Sequence, residues 1–228
     1  MVVYGKQVVE LILKKHSKTI NTIYLSKEID KAFFHQLKKL NKPIIKVDNK
    51  KAQALAKGGN HQGYFLEITP ILVTPFSEIK AMENVLVLSK LSDVGNLGSL
   101  VRSACALGFD AVIFCEMREL KQEGIIRVSA GALLEIPFCV IKNTLDVANE
   151  LKQAGFTLFG TSLKGENKGQ FTKGKKALFL GNEGEGLSKR VLAKMDTNLT
   201  IPMQKDFDSL NVGMAGAILM DRMMYGRA

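Results

Sequence analysis

Short apolar runs alternate with helix-type patterns along almost the whole chain. The runs have the length and composition of buried strands, and the segments between them carry apolar residues at helical spacing. Such alternation is typical of α/β proteins, in which helices cover a mostly parallel sheet. We therefore predict an α/β protein with a parallel sheet of five or six strands in the larger, C-terminal part of the chain.

The predicted elements divide into two groups, separated by a linker that Pro70 and Pro75 bracket, since neither proline can continue a central strand. We expect a small α/β domain at 1–70, a linker at 71–83 and a larger domain at 84–228. The first domain is predicted to hold helices near 8–13, 29–40 and 50–57 and strands near 22–25, 43–47 and 62–68. The second is predicted to hold strands near 85–88, 111–114, 137–141, 157–160, 177–180 and 198–201, and helices near 97–107, 122–128, 145–154, 188–194 and 210–224.

Positive charge is concentrated in the first part of the chain. Residues 1–70 contain 13 lysines, no arginine and five acidic residues, a net charge of +8 out of the whole chain's +10. A basic module joined to a nearly neutral one is expected where the first part binds a polyanion, although a lysine-rich solvated surface is the alternative. Aromatic residues are only 7% with no Trp, which argues against a base-stacking groove and favours a folded RNA.

Cysteine, histidine and hydropathy patterns exclude several other classes. Cys105, Cys115 and Cys139 are odd in number and widely spaced, so neither a disulfide framework nor a CxxC metal site is indicated. The longest late uncharged run, residues 209–220, is 12 residues, too short to span a bilayer, and no secretory signal is visible. We expect a cytoplasmic protein with no metal and no membrane partner. The three histidines, all in the N-terminal part, are expected at the surface or against RNA.

The first of three segments that carry chemistry is LSDVGNLGSLVRSACAL, residues 91–107. Gly95-Asn96 follows a predicted strand and Gly98 opens the next helix, so Asn96 is expected at the carboxyl end of the sheet, where α/β proteins bind ligands. Arg102 follows on the second turn of that helix, among apolar neighbours. A snorkelling or ion-paired arginine is the alternative interpretation.

The second segment is ALFLGNEGEGL, residues 177–187. An apolar strand runs directly into three glycines, which lets the backbone turn sharply and approach a planar ligand. Glu183 and Glu185 would repel phosphate and no GK[ST] follows, so a P-loop is disfavoured. The loop suits a cationic or hydroxyl-rich ligand, although many strand-to-helix turns are glycine-rich for structural reasons alone.

The third segment is IPMQKDFDSLNVGMAGA, residues 201–217. A strand is predicted to end at Ile201-Pro202, and Ser209 is predicted to cap a helix that begins at Leu210-Asn211. The small residues that follow give that helix a face that other backbone can approach closely. Taken alone, the segment also fits a tightly packed core helix with an ordinary cap.

Together the three segments resemble the motifs of the SpoU (TrmH) branch of the SPOUT RNA methyltransferases: N-x-G-x-x-x-R, then a strand with GNEGEGL, then IPM with SLNV near the C-terminus. The resemblance covers roughly 84–228, with SAGALLEIPF as a further match. The GKQVVELIL opening and the HQGYFLEI strand resemble the substrate-binding domain of the members that act on ribosomal RNA. The resemblance implies a parallel-sheet domain with a deep trefoil knot, a homodimer, and methyl transfer from S-adenosyl-L-methionine to a guanosine ribose 2′-hydroxyl of 23S rRNA.

The resemblance also implies roles for individual residues. The implied catalytic set is Arg102, Asn96, Glu183, Ser209 and Asn211. The implied cofactor-binding set is Thr161, Leu180, Gly181, Gly186, Ile201, Met203 and Leu210. Arg102 is expected to orient phosphate and stabilise the oxyanion, because a guanidinium with a pKa above about 12 is a poor base. Glu183 is expected to hold the glycine loop or contact the arginine, and Ser209 to cap the last helix.

The chain departs from the family pattern in both outer motifs. Val94 and Ser99 stand where a proline and an alanine are usual, and Gly213 stands where a second serine is usual. The missing serine removes a possible contact to substrate or to a partner loop. Alternatives within the enzyme class are a tRNA-directed or an antibiotic-resistance rRNA methyltransferase, and outside it a non-catalytic RNA-binding or ribosome-assembly protein. A Rossmann methyltransferase is disfavoured because its glycine-rich turn is missing after the first strand of the second part.

Overall fold

The chain forms two sheets in this computed structural model, which describes residues 1–59, 61–166, 171, 174–204 and 209–226. The smaller sheet comes from the N-terminal part and has the order β1-β4-β2-β3. The elements of this part are β1 (Val2–Tyr4), α1 (Lys6–Lys15), β2 (Ile20–Leu25), α2 (Lys31–Lys38), β3 (Ile44–Lys46), α3 (Asn49–Leu55) and β4 (Tyr64–Ile68). β2 and β3 are parallel, whereas β4 is antiparallel to both β1 and β2.

The sequence pattern predicts all of these elements except β1, a three-residue edge strand that pairs with β4. Two of the helices begin where an aspartate caps them. Asp30 accepts a hydrogen bond from the N–H of Phe33, and Asp48 accepts one from the N–H of Lys51. Each cap satisfies one of the free N–H groups of a helix start, which fixes where α2 and α3 begin.

The larger sheet has six parallel strands in the order β10-β8-β9-β5-β6-β7. This confirms the predicted α/β architecture with a parallel sheet. The elements of this part are α4 (Phe76–Ile79), β5 (Asn84–Ser89), α5 (Val94–Leu107), β6 (Ala111–Cys115), α6 (Gln122–Val128), β7 (Phe138–Ile141), α7 (Thr144–Gln153), β8 (Thr157–Glu166), β9 (Lys176–Leu180), α8 (Lys189–Leu192), β10 (Thr197–Leu199) and α9 (Val212–Tyr225).

Several boundaries differ from the predicted ones. The helix α5 begins at Val94 rather than near 97, because Asp93 Oδ1 accepts a 2.7 Å hydrogen bond from the N–H of Asn96 and caps the helix earlier. The strand β10 ends at Leu199 rather than at 201. The predicted linker 71–83 contains the short helix α4. The trefoil knot stays a prediction, because the segments around it include residues 167–170 and 205–208, outside the described residues.

The two faces of the large sheet carry separate cores, because successive side chains of a strand point to opposite faces. Leu86 and Leu88 of β5 pack on one face with helices α5, α6 and α9. Val85 and Val87 pack on the other face with α4, α7 and α8. The helix α4 contributes Ile79, which is completely buried.

The N-terminal part packs against the first of these faces, so the two parts share one apolar core. Val8 and Ile12 of α1 belong to the same buried cluster as Leu133 and Ile136, which lie between α6 and β7. Gly131 has a φ of +93°, which favours glycine, and a Cβ there would lie 2.4 Å from Leu11 Cδ2, so a larger residue would also displace the Leu11 side chain.

Polar contacts at the edge of this shared core also link the N-terminal part to the larger part. Glu135 accepts hydrogen bonds from both Lys15 and His16, and Arg127 donates to Tyr4 Oη. The prediction that the histidines lie at the surface or against RNA is therefore incomplete for His16. It is wrong for His61, which is 8% exposed and packs its ring 4.8 Å from that of Phe65.

Three properties of the described residues bear on partners and chemistry. No helix among them has the length and apolar character needed to cross a membrane, and no group of three or more His, Cys, Asp or Glu is placed to hold a metal ion. The three cysteines are free thiols. Burial raises the pKa of Cys115 and that of Cys139 to about 12.

Candidate active site

A cleft lies where the chain order of the large sheet reverses. From β5 the chain continues to β6 and β7 on one side, whereas β9, β8 and β10 lie on the other. The loops after neighbouring strands β5 and β9 therefore separate, and open α/β sheets bind ligands in such crevices. The cavity there has a volume of about 360 Å³. It is lined by Lys90, Leu91, Ser92, Asp93, Asn182, Glu183, Gly184 and Glu185.

The glycine loop after β9 is closed by its own backbone. A Cβ at Gly181 would lie 2.1 Å from the carbonyl carbon of Gly186, so no other residue fits at 181 without moving the loop. Asn182 Oδ1 accepts hydrogen bonds from the N–H groups of Gly184 at 3.1 Å and Glu185 at 2.6 Å. Gly186 has a φ of +66° and donates its N–H to the carbonyl of Asn182. The loop thus presents the exposed Glu183 and Glu185 side chains from a fixed backbone.

Asn96 joins the first motif to this glycine loop. It lies in the first turn of α5, and its Nδ2 donates a hydrogen bond to Glu183 Oε1. The sequence leaves open whether Glu183 holds the glycine loop or contacts Arg102. The structure shows that the carboxylate contacts the asparagine, and that the loop is held by Asn182 instead.

Asn211 joins the third motif to the same asparagine. Its Oδ1 accepts hydrogen bonds from the N–H groups of Gly213 at 2.9 Å and Met214 at 3.4 Å, so Asn211 is the N-cap of α9. Its Nδ2 donates a 3.0 Å hydrogen bond to Asn96 Oδ1. The prediction that Ser209 caps this helix is wrong, because α9 begins at Val212, two residues too late for a Ser209 cap.

Two hydrogen bonds form one chain from Asn211 through Asn96 to Glu183. Each amide donates its Nδ2 hydrogen to the next acceptor, and the chain ends on a carboxylate. Charge-assisted hydrogen bonds of this kind are the stronger ones, and neighbouring bonds in a chain polarise one another. Residues from motifs separated by up to 115 positions are thereby fixed relative to each other.

Arg102 lies beside this chain but does not join it. Asn96, Ser99 and Arg102 follow one another at a spacing of three along α5, which places them on one ridge of the helix. Arg102 is exposed on the third turn, not the second, because α5 starts earlier than predicted. Its guanidinium makes no hydrogen bond or ion pair with any residue that the structure describes, so the ion-paired alternative finds no partner among those residues. Its cationic side chain is exposed, so an anionic ligand can reach it.

The residues implied to bind the cofactor lie on three segments around β9. Thr161 Oγ1 donates a 3.3 Å hydrogen bond to the carbonyl of Phe179, and Leu180 is 1% exposed at the end of β9. Ile201 packs against the apolar core, whereas Leu210 is 40% exposed. Met203 is half-buried. Because Met203 and Leu210 flank residues 205–208, which are not described, the structure leaves the role of this set as a prediction.

Sequence reasoning missed the polar cluster beside the cleft. Glu116 accepts hydrogen bonds from Thr144 N at 3.1 Å and Thr144 Oγ1 at 2.7 Å, and its carboxylate lies 3.6 Å from Lys90 Nζ. Burial opposes ionisation of Glu116, but the Thr144 hydrogen bonds and Lys90 outweigh it, so its pKa is lowered. Lys90 and Glu116 both have positive φ, at 57° and 56°. No local sequence signal marks either residue, since both are ordinary side chains at strand ends.

Two family models match the chain and leave few residues uncovered. The SpoU rRNA Methylase family matches residues 83–221. A family described as RNA 2'-O ribose methyltransferase substrate binding matches residues 2–72. A protein of Staphylococcus saprophyticus assigned to the TrmH family of tRNA/rRNA methyltransferases is 31% identical over 96% of this chain and 93% of its own length.

Solved structures of low sequence identity share the fold. An AdoMet-bound rRNA methyltransferase from Sinorhizobium meliloti has a TM-score of 0.78 and 20% identity, covering 97% of this chain and 85% of the other. The A. aeolicus TrmH/SpoU tRNA modifying enzyme has a TM-score of 0.56 and 21% identity, covering 64% of this chain and 77% of the other. The first likeness therefore extends over both parts of the fold, whereas the second extends over about two thirds of it.

Proposed function

This chain belongs to the SpoU rRNA methylase family of tRNA/rRNA methyltransferases, and from that membership we propose that it methylates the ribose 2′-hydroxyl of a guanosine in 23S rRNA, with S-adenosylmethionine as the donor. The observation that carries this proposal is the hydrogen-bond chain Asn211–Asn96–Glu183 beside the exposed Arg102. It brings side chains of all three motifs to one cleft at the carboxyl ends of β5 and β9.

The residues of the second motif fit S-adenosylmethionine. The donor carries a sulfonium cation and ribose hydroxyls, and Glu183 and Glu185 offer carboxylate oxygens on a loop without a basic residue. Gly181 has no space for a Cβ because the backbone of Gly186 closes against it, so at that position the loop after β9 offers main-chain groups and no side chain. Asn198 Oδ1 is buried without a hydrogen-bond partner among the described residues. It lies beside Gly160, the residue that precedes Thr161. It is an acceptor that a bound ligand could satisfy.

The chemistry that this chain must supply is mainly positioning. When bound, the sulfonium donor supplies a methyl group that is already reactive, so an aligned 2′-oxygen gains much of the rate from geometry. A guanidinium is a poor base, so we assign Arg102 to hold a phosphate beside the target ribose and to stabilise oxyanion character. Asn96 and Asn211 fix the first turns of α5 and α9 around that ribose.

The N-terminal part supports an RNA substrate. Lys14, Lys38, Lys39 and Lys50 are exposed, and the matching family model is described as a substrate-binding domain of RNA 2'-O ribose methyltransferases. The likeness to an rRNA methyltransferase covers 97% of this chain, whereas the likeness to a tRNA modifying enzyme covers 64%. This coverage supports ribosomal RNA over tRNA as the substrate.

We also propose that the protein is a homodimer, as the family resemblance implies. One face of α9 carries exposed apolar side chains at a spacing of four to eleven residues: Met214 at 66%, Ile218 at 37% and Tyr225 at 54%. A second copy of the chain would cover this stripe and lie next to the active-site cleft, since Asn211 caps the same helix. Light scattering should give about twice the 25.1 kDa chain mass, and Ile218→Asp should give a monomer.

Nucleotide-resolution mapping of 2′-O-methylation tests the proposed reaction. RNA from cells with and without this gene is compared, and the gene is returned either as the parent or as Arg102→Ala. We expect one guanosine of 23S rRNA to lose its methyl group without the gene and to regain it only with the parent. Loss of a methyl group in tRNA instead would assign the enzyme to tRNA.

Calorimetry with S-adenosylhomocysteine separates an enzyme from an assembly protein of the same fold. Binding together with no change in any RNA would favour an enzyme whose substrate lies elsewhere. No binding and no change in methylation, with altered ribosome assembly, would support the non-catalytic alternative and overturn the proposed reaction.

A further inference from the structure

A second cavity lies where the N-terminal part meets the larger part. Its volume is about 350 Å³, and it shares no lining residue with the active-site cleft. The side chains that line it come from both parts of the chain: Tyr4, Lys6, Gln7 and Gln62 from the first, and Arg127 and Ala130 from the second. No lining residue is acidic, whereas three carboxylates line the active-site cleft. Two cationic side chains and two amides therefore surround this cavity, which suits an anionic ligand.

Arg127 is exposed, yet Tyr4 fixes its position. The guanidinium donates a hydrogen bond to Tyr4 Oη, and its Cζ lies 5.3 Å from the centroid of the Tyr4 ring. Tyr4 is only 6% exposed, and its own hydroxyl donates a 2.9 Å hydrogen bond to the carbonyl of Ala56, so the phenol oxygen is held as an acceptor for the arginine. A guanidinium has five N–H donors, so one bond to Tyr4 leaves donors for a ligand.

Two neighbouring residues support this arrangement. A Cβ at Gly59 would lie 2.1 Å from Tyr4 Oη and 2.8 Å from Arg127 Nη1, so a side chain at 59 would push the phenol and the guanidinium away. Gln62 Oε1 accepts a 3.0 Å hydrogen bond from the N–H of Lys6, which leaves the Nε2 group of Gln62 as a donor. The cavity thus has donors on both of its walls.

The helix that carries Arg127 packs directly on the helix that carries Asn96 and Arg102. A Cβ at Gly98 of α5 would lie 2.4 Å from Cβ of Val128, the residue after Arg127 in α6. Helices α5, α6 and α9 cover the same face of the large sheet. The cavity and the residues assigned to the target ribose therefore belong to one layer of the protein.

We propose that this cavity is a phosphate-binding site for the RNA substrate, in which Arg127 holds one backbone phosphate and Lys6 adds a second positive charge. The planar donors of an arginine match phosphate oxygens, and the fixed position of Arg127 reduces the entropy lost on binding. Unlike the exposed lysines of the N-terminal surface, this site is built by both parts of the chain. The inference rests on the proposed function in one respect, namely that the substrate is an RNA.

Filter binding with full-length protein and S-adenosylhomocysteine tests the site without methyl transfer. The variant is Arg127→Gln, and Arg190→Gln of α8 is the matched control, because Arg190 is also exposed but lies on the opposite face of the sheet. Each is measured with a 23S rRNA transcript and with bulk tRNA at several salt concentrations. Arg127→Gln should weaken binding of the substrate RNA about five- to tenfold and lower the slope of log affinity against log salt by about 0.7 to 0.9. Arg190→Gln should stay within about twofold of the parent.

Tyr4→Phe separates an arginine that binds RNA from one that only joins the two parts. It keeps the charge of Arg127 but removes the hydroxyl that holds the guanidinium. We expect the affinity for RNA to fall about threefold with the salt slope of the parent, because the positive charge remains. If Arg127 only joins the parts, Arg127→Gln and Tyr4→Phe will both lower the thermal midpoint and leave the slope unchanged. That result would overturn the site.

The Nε–H resonance of Arg127 in a ¹⁵N-labelled sample identifies the source of the phosphate. It should shift with a micromolar concentration of an RNA hairpin from the bound transcript, and with inorganic phosphate only at millimolar concentration. A shift at micromolar inorganic phosphate would overturn the assignment to RNA. If methylation mapping finds the target in tRNA, the proposed substrate fails while the slope with bulk tRNA still decides the site. A parent-like slope for Arg127→Gln with both RNAs would overturn the site even if 23S rRNA is methylated.

Discussion

Asn211 Nδ2 donates a 3.0 Å hydrogen bond to Asn96 Oδ1, which ties the first turn of α9 to the first turn of α5. The same Asn211 side chain caps α9 through its Oδ1. One residue therefore has two separable roles, a structural one through its oxygen and a positioning one through its nitrogen.

Replacement of Asn211 by aspartate separates these roles. Asn211→Asp keeps an oxygen for the helix cap, where aspartate is as favourable as asparagine, but it removes the donor to Asn96. It also leaves the single amide of Asn96 between two carboxylates, because Glu183 lies at its other end. We expect methyl transfer to fall about tenfold or more, the equivalent of one lost hydrogen bond, with little change in the thermal midpoint. Initial rates and thermal unfolding measure the two effects.

The comparison variant for this prediction is Asn211→Ala, which loses both roles. It should lower the free energy of unfolding by about 1 kcal/mol through the lost cap, in addition to lowering activity. Parent-like rates for Asn211→Asp would mean that the bond to Asn96 is not needed for methyl transfer.

Removal of the Arg102 guanidinium should abolish methyl transfer and leave cofactor binding nearly unchanged. The side chain is exposed and unpaired among the described residues, so Arg102→Ala leaves no buried group without a partner. We expect a rate loss of at least about a hundredfold, in the range seen when a transition-state donor is removed. Single-turnover rates and calorimetry with S-adenosylhomocysteine provide the measurement.

An exposed arginine of α8 offers the matched control, because Arg190 lies on the helix layer opposite α5. Arg190→Ala should retain parent rates. Equal rates in the parent and Arg102→Ala would remove Arg102 from the reaction.

Neutralising exposed lysines of the N-terminal part should weaken RNA binding and flatten its salt dependence. Each phosphate contact that is lost lowers the slope of log affinity against log salt by about 0.7 to 0.9. Lys14, Lys39 and Lys50 are exposed, and we expect their triple change to Gln to lower the slope by about two units if all three contact phosphate. Filter binding at several salt concentrations measures the slope.

Substitution is a better test than deletion of residues 1–70, because deletion would uncover the apolar core that both parts share. Exposed lysines of the second part, Lys142, Lys189 and Lys194, serve as the control triple. A slope that is unchanged in the first triple, or equally reduced in the control, would show that the basic part does not hold the RNA.

The free energy of unfolding should depend on the ionisation of Glu135, which links the two parts of the chain through Lys15 and His16. Burial opposes its ionisation, but hydrogen bonds from Lys15 and His16 outweigh it and lower the pKa of the carboxyl. A pKa lower in the folded than in the unfolded chain stabilises the fold above the unfolded value of about 4.3, and this stabilisation is lost as the pH falls through the folded value. Glu135→Gln should cost about 1 kcal/mol of unfolding free energy at pH 7.

Denaturant unfolding at several pH values measures this difference, which should shrink towards zero at a pH below about 4. Glu150→Gln is the control, since the Glu150 carboxylate pairs with Lys80 at the surface and such pairs contribute little. A Glu135→Gln penalty that persists unchanged at low pH would contradict the ionic origin.

The buried thiols should be unreactive in the folded protein. The pKa of Cys115 and of Cys139 is raised to about 12 by burial, and that of Cys105 is raised as well, so thiolate is scarce at pH 8. A chromogenic thiol reagent should label Cys115 and Cys139 only after addition of guanidinium. Rapid labelling of either in native buffer, located by peptide mapping, would contradict the packing of β6 and β7.

The sequence predicts the order of nearly all the strands and helices, because burial on a sheet or a helix face leaves a regular apolar spacing. It misses β1, whose three residues are too few to show a period, and α4, which follows Pro75 within the predicted linker. It places the start of α5 too late because the side chain of Asp93 caps the helix three residues earlier than the apolar spacing indicates. These errors concern short elements and helix ends, where single side-chain contacts decide the boundary.

The motifs locate the active-site cleft, but not the contacts within it. The pairing of Asn96 with both Glu183 and Asn211 depends on the packing of α9 against α5 and on the closed glycine loop. Such contacts join residues 87 and 115 positions apart, and no local pattern encodes them. The same holds for the cap of α9, for which Ser209 and Asn211 are both suitable residue types.

The packing of Leu11 against Gly131 has a consequence for how this enzyme can be divided or recombined. Because residues of α1 belong to the same buried cluster as residues of α5 and α6, heat or denaturant should melt both sheets in a single transition. A chimera whose first 70 or so residues come from a relative would pack poorly at this contact unless the loop around residue 131 comes from the same relative. We therefore expect the basic N-terminal part and the part that carries the candidate active site to fold as one unit.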